Sequence, residues 1–213
     1  MKTKDMVALL AAGVEPVDRH ALARRFGWAL LAGGLAAAAL TLRMFGMRPD
    51  LDLMMATPLF WAKVALPFLL AAAALWAAGR LSRPGVTVGR GWLALAAPVA
   101  VVWAAAAAVL LSAPAPERMS LLMGSTWRTC PLNITVLSVP AFVAVMWAMK
   151  GLAPTRPRVA GAAGGLLASA TATVAYCLHC PEMEVPFWAV WYLLGMLIPA
   201  ALGALLGPRL LRW

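Results

Sequence analysis

The sequence predicts an all-α fold: a polytopic membrane bundle of six transmembrane helices, both termini cytoplasmic, with a short cytoplasmic N-terminal amphipathic helix. Three observations predict it. Of 213 residues, 63% are hydrophobic and only 12% charged, and the mean hydropathy is +0.84, far too apolar for a water-soluble domain. The chain breaks into six apolar stretches, each close to the roughly 20 residues that cross about 30 Å of hydrocarbon. The 18 basic residues, against 8 acidic ones, gather in alternate connecting segments, which points to cytoplasmic loops rather than to direct nucleic-acid binding.

Residues 1–25 are the only sizeable soluble segment, and residues 26–213 are expected to form the transmembrane domain. Met6, Leu9 and Leu10, then Val14 and Val17, partly follow helical spacing, as in a short amphipathic helix. Gly13 and Pro16 interrupt it, and Asp18 is placed to cap a turn of helix running through Leu22 into the first span. Two uses fit such a segment. It can lie on the inner membrane surface, helped by Lys2 and Lys4, or it can offer Met6, Leu9, Leu10 and Val14 to an apolar groove of a cytoplasmic partner. With Asp5, Glu15 and Asp18 in it, the segment is too acidic and too long for the n-region of a secretory signal. The first span is therefore read as permanent.

The six spans are placed at Phe26 to Leu42, Pro58 to Ala78, Gly91 to Leu111, Leu132 to Met149, Val159 to Leu178 and Pro186 to Leu206, separated by Arg, Pro, Gly and Asp clusters. The N-terminal end, the even-numbered loops and the C-terminus carry thirteen cations, the opposite side four (Arg43, Arg48, Arg118 and Arg128), and Lys63 lies inside the second span. That asymmetry sets the thirteen inside. Trp28, Trp61, Trp92, Trp127, Trp188 and Trp191 fall near span ends, where an indole prefers the interface. Trp76 and Trp103 fit that belt less well. Each span from the second to the sixth holds a proline except the fifth, which instead repeats Gly161, Gly165, Ser169 and Thr173 every four residues. Gly203 and Gly207 repeat the device in the sixth. Such stripes let helices approach closely, and packing within the bundle is the favoured use over dimerisation.

Chemistry is confined to few residues. The three cysteines are too few for a disulfide framework. Cys130 precedes the fourth span, Cys177 and Cys180 close the fifth, and all three are expected at the outer boundary. Two uses compete with inert burial. Thiolate and imidazole suit a soft metal ion held transiently by Cys130, Cys180, His179 and Cys177, or Cys130 and Cys180 can open and close a disulfide. Lys63 is costly about one turn inside a span. Snorkelling beside Trp61 or a structural pair with Glu182, Glu184 or Asp52 is favoured over a place beside a thiol whose pKa it would lower. The chain has no HExxH, no Walker-type loop and no GxSxG. A proton-coupled transporter is disfavoured, since no other acid or base lies within the spans.

Several stretches carry a family resemblance: Met1 to Gly13, Pro16 to Arg19, Thr129-Cys130-Pro131, His179-Cys180-Pro181-Glu182, Phe187, Trp191-Tyr192, and Gly203 to Trp213. Together they resemble the NrsF family, negative regulators of sigma factor F, bacterial inner-membrane anti-sigma factors with six helices. The resemblance implies a non-enzymatic regulator whose N-terminus helps sequester an extracytoplasmic-function sigma factor. It also implies that Cys130 and Cys180 match the family's periplasmic pair, which senses metal or oxidative stress, while Cys177 is an extra. The alternative from the residues is a membrane thiol-disulfide oxidoreductase linked to quinone, against which the odd thiol count stands.

Overall fold

The computed structural model describes residues 3–12, 18 and 20–212. The described residues form helices and connecting turns. α1 (Thr3–Ala11) is followed by α2 (Ala21–Met44), a short α3 (Leu51–Met55), α4 (Pro58–Leu81), α5 (Gly91–Ser112), a short α6 (Arg118–Met123), α7 (Cys130–Lys150) and α8 (Pro157–Tyr176). A last apolar run, Val185–Leu210, comprises α9 (Val185–Phe187), a π-helical turn (Trp188–Tyr192) and α10 (Leu193–Leu210). α2, α4, α5, α7, α8 and this run are long and apolar enough to cross a membrane, matching the six predicted spans. The first begins at Ala21, ahead of the apolar stretch proper. Asp18 accepts the backbone N–H of His20 at 2.8 Å and pairs with Arg24 at 2.9 Å, which ties the chain down at the start of α2.

Several boundaries follow from local chemistry. Pro58, Pro131 and Pro157 each stand in the first turn of a helix, where a missing N–H costs nothing. The Thr57 hydroxyl accepts the Phe60 N–H and caps α4. Pro67, Pro98, Pro140 and Pro199 lie within helices, as expected for lipid-embedded segments whose neighbours satisfy freed carbonyls. At the π-helical turn the carbonyl of Ala189 takes the Trp103 indole N–H at 2.9 Å, fastening α5 to the last span.

α8 is the centre of the bundle and packs on α10, α4, α7 and α2. It is the least apolar of the six crossing segments and the most buried, whereas α5 is the most apolar and the least buried. In lipid this inversion is expected, because apolar side chains gain nothing by hiding from hydrocarbon and small residues gain by close approach. A methyl group added at Gly161 would fall on the Gly203 carbonyl, and one at Gly203 on the Gly161 carbonyl. Gly165 likewise faces the Pro199 carbonyl and Gly207 that of Pro157. The Ser169 hydroxyl crosses the interface to the Met196 carbonyl at 3.0 Å. The predicted small-residue stripe is used inside the bundle.

Two expectations need correction. Trp28, Trp61 and Trp92 are exposed, but Trp188 is buried. Its ring joins the apolar cluster around Phe187 and Tyr192, so only part of the supposed belt faces outward. Lys63 is wholly buried and does not snorkel. It turns inward to the segment that carries Cys180.

Candidate functional site

The site lies at the end of the bundle where α7 begins and α8 ends. Cys130 opens α7. At the other side α8 winds down through tightening hydrogen bonds: Cys177 N–H to Thr173 O at 3.0 Å, His179 N–H to Tyr176 O at 3.0 Å and Cys180 N–H to Tyr176 O at 3.0 Å. Pro181 follows and cannot continue the helix. All three cysteines are free and buried. Cys130 and Cys180 are wholly buried in one cluster with Cys177 and Tyr176, and the two thiols are near enough to influence each other's ionisation. Tyr176 lines the same chamber beside Cys130, and its hydroxyl accepts from Asn133 Nδ2 at 3.3 Å.

The Cys180 segment is gripped from three directions. Lys63 Nζ donates to the Cys180 carbonyl at 2.7 Å and to the Glu182 carbonyl at 2.8 Å, and sits 5.7 Å from the centre of the Tyr192 ring. Arg48 Nη1 donates to the same Cys180 carbonyl at 3.3 Å, and the Arg48 backbone N–H to Leu178 O at 3.2 Å. Arg48 is itself held by both carboxylate oxygens of Asp50, at 2.7 and 2.8 Å. The third hold is Glu182, whose Oε1 accepts from the backbone N–H and hydroxyl of Ser125 at 2.8 and 2.6 Å and from those of Thr126 at 3.0 and 3.1 Å. The loop before α7 is thereby tied to the segment after α8. Gly124, at φ +55°, runs so close to this carboxylate that a Cβ there would strike Glu182 Oε2.

Electrostatics differ among these groups. Partial burial disfavours the Glu182 carboxylate, but the Ser125 and Thr126 donors outweigh it and hold its pKa below the ordinary value. The hydrogen bond from Cys130 lowers the Cys180 thiol against the opposing effect of burial, with the Lys63 ammonium helping. Cys177 is wholly buried, as an inert core thiol is. The Tyr192 hydroxyl is buried with no hydrogen-bond partner of good geometry among the described residues; the Cys177 and Cys180 sulfurs adjoin it without satisfying it.

Of the predicted site residues, Cys130 and Cys180 come together, with Cys177 behind them. His179 does not join. Its Nδ1 lies 3.1 Å from Gly46 O, and its ring stacks 5.0 Å from that of Phe45. Among the described residues no three His, Cys, Asp or Glu side chains converge to hold a metal ion. Lys63 meets backbone carbonyls, while the Glu182 carboxylate points to the neighbouring loop. At the other end of the chain, Met6, Leu9 and Leu10 are exposed on α1, at 49%, 73% and 69%; Val14 lies outside the described residues. Sequence reasoning missed Arg48, Asn133, Ser125, Thr126 and Tyr192. Two of them carried a signal: Arg48 as one of the few cations on the sparsely charged side, and Tyr192 as part of a stretch that carries the family resemblance.

Fold and site thus define a multi-pass helical membrane protein with a buried thiol pair at one end and an exposed apolar helix on its N-terminal segment. Residues 10–213 match the profile of the NrsF family, described as negative regulator of sigma F. The chain is 51% identical over 213 residues to the probable anti-sigma-F factor NrsF of Azospira oryzae, covering all of both chains. It is 39% identical over 222 aligned residues to the anti-sigma-F factor NrsF of Caulobacter vibrioides, again covering all of both. The chain belongs to the NrsF family. No solved structure matches it.

Proposed function

We propose that this chain is a membrane-embedded anti-sigma factor: it holds an extracytoplasmic-function sigma factor at its cytoplasmic face and releases it when the thiol pair on the opposite side reacts. The observation that carries the reading is full-length similarity to two proteins named as anti-sigma-F factors, joined to the placement of Cys130 and Cys180 in one buried cluster. The thirteen-to-four cation asymmetry supports an inner-membrane orientation with both termini cytoplasmic and the thiols periplasmic. The role is regulatory rather than catalytic.

Sequestration falls to the N-terminal segment, whose Met6, Leu9 and Leu10 offer apolar contacts of the kind that an amphipathic helix lays into a groove. Sensing falls to Cys130 and Cys180. An oxidant that accepts two electrons converts the two thiols to one disulfide, their two protons leaving. A soft cation can instead bridge the two sulfurs without help from His179. Either event adds a bond between the start of α7 and the segment after α8, and so favours one packing of the bundle over another. Turning a two-state switch from 1:99 to 99:1 takes about 5.5 kcal/mol of differential binding.

The test is a sigma-dependent transcriptional reporter in cells carrying Cys130→Ser or Cys180→Ser. Reporter activity stays low when a thiol oxidant or cadmium is added, while the unmodified chain responds. An undiminished response in both variants refutes the sensor role.

A further inference from the structure

Three free thiols are buried in one cluster at one end of the bundle, and Cys180 has both Cys130 and Cys177 near enough to interact with it electrostatically. Spacing alone favours Cys177 as the partner. Cys177 and Cys180 are three residues apart, and in sequence Cys130 is remote from both. Something must fix the direction in which the Cys180 side chain leaves the backbone.

We propose that Lys63 is the positioning residue that selects the disulfide partner: by gripping the carbonyls on either side of Pro181, it holds Cys180 toward Cys130 and away from Cys177. The inference rests on the thiol-pair reading above and adds to it the residue that sets the pairing. Its basis is geometric. A fully buried ammonium reaches across 117 residues of sequence to Cys180 O at 2.7 Å and across 119 to Glu182 O at 2.8 Å. It forms no ion pair with a carboxylate among the described residues. A cation in this position is costly in a membrane helix, and what it holds is the peptide of one cysteine and that of its second neighbour. Arg48 donates to the same Cys180 carbonyl at 3.3 Å, a longer and secondary hold. Cys130 needs no comparable device, because it is the first residue of α7 and moves with that helix. Disulfides demand Cα separations of about 4.4–6.8 Å and a narrow dihedral range, so a small rotation of the Cys180 peptide is enough to redirect the pairing.

The experiment treats the purified full-length protein in detergent with diamide. Two thiol hydrogens and two electrons pass to its N=N bond, giving the hydrazine as the S–S bond forms. Each disulfide is then located by mass spectrometry of the digested protein over time. The unmodified chain should form the Cys130–Cys180 bridge. In Lys63→Met that bridge should form at least tenfold more slowly, with a Cys177-containing disulfide taking a share; Lys63→Arg should restore the pairing, which a merely space-filling role would not require. Because removal of a buried cation can prevent accumulation of the protein, Arg48→Gln is measured in parallel and should divert the pairing in the same direction, to a smaller extent. An unchanged partner and rate in whichever of these two variants accumulates overturns the proposal, as does a Cys177-containing bridge as the main product of the unmodified chain. None of these readouts involves a sigma factor. A Cys130–Cys180 bridge that forms without any transcriptional response therefore sinks the sensing reading and leaves the selection by Lys63 standing.

Discussion

Lys63 Nζ lies 2.7 Å from the carbonyl oxygen of Cys180, which joins the second membrane-crossing helix to the segment that ends the fifth. The contact explains how a cation can sit one turn inside an apolar helix. Its donors are spent on carbonyls left free where α8 unwinds and Pro181 blocks continuation, so membrane burial is offset by hydrogen bonds rather than by a trip to the headgroups. Near the same place, the Glu182 carboxylate draws in the loop before α7. The thiol pair is thus framed by polar groups that come from four separate parts of the chain.

Docking through the N-terminal helix predicts that Leu9→Asp or Leu10→Asp releases the sigma factor without any inducer. Both side chains are exposed, so neither change costs the bundle any packing, and an aspartate in an apolar groove loses its solvation. Co-purification of sigma with the tagged protein should fall by tenfold or more. Retained co-purification would remove the helix from the interface, and a reporter fused at residue 1 that is active only outside the cytoplasm would remove it from the correct compartment.

The Glu182 latch predicts a pH dependence. Its folded pKa lies below the ordinary 4.5, so it contributes stability that is present above pH 4.5 and is lost as the pH falls through the folded value. Thermal unfolding in detergent should show a midpoint that declines on acidification below about pH 4.5. Glu182→Gln should reduce stability at neutral pH by about 1 kcal/mol after screening at this half-buried site, lowering the midpoint, and should flatten the acid limb. An acid limb of equal size in the variant would show that other carboxylates cause it.

Close approach of α8 to α10 predicts that Gly161→Ala is destabilising although alanine is the better helix former. The new methyl group meets a backbone carbonyl that cannot rotate away, a cost of about 1–3 kcal/mol. Gly27→Ala is the control, since nothing lies within 4 Å of a Cβ at that position. The first should lower the unfolding midpoint and the second leave it level or slightly raised. Equal behaviour of the two would mean that the helices separate without cost.

Read from sequence alone, hydropathy and charge located six spans within a few residues, because crossing hydrocarbon constrains length and composition so tightly that little else fits. The Gly161 to Thr173 stripe was legible for a related reason: small residues at a spacing of four have one common use in a membrane helix. What composition could not decide was direction. Whether Lys63 ran outward to the headgroups or inward to Cys180, whether Trp188 faced lipid or core, and which two of three thiols met each depended on how α4, α7, α8 and the last crossing segment are rotated about their own axes. That rotation is set by the joint packing of the bundle, and no single segment contains it.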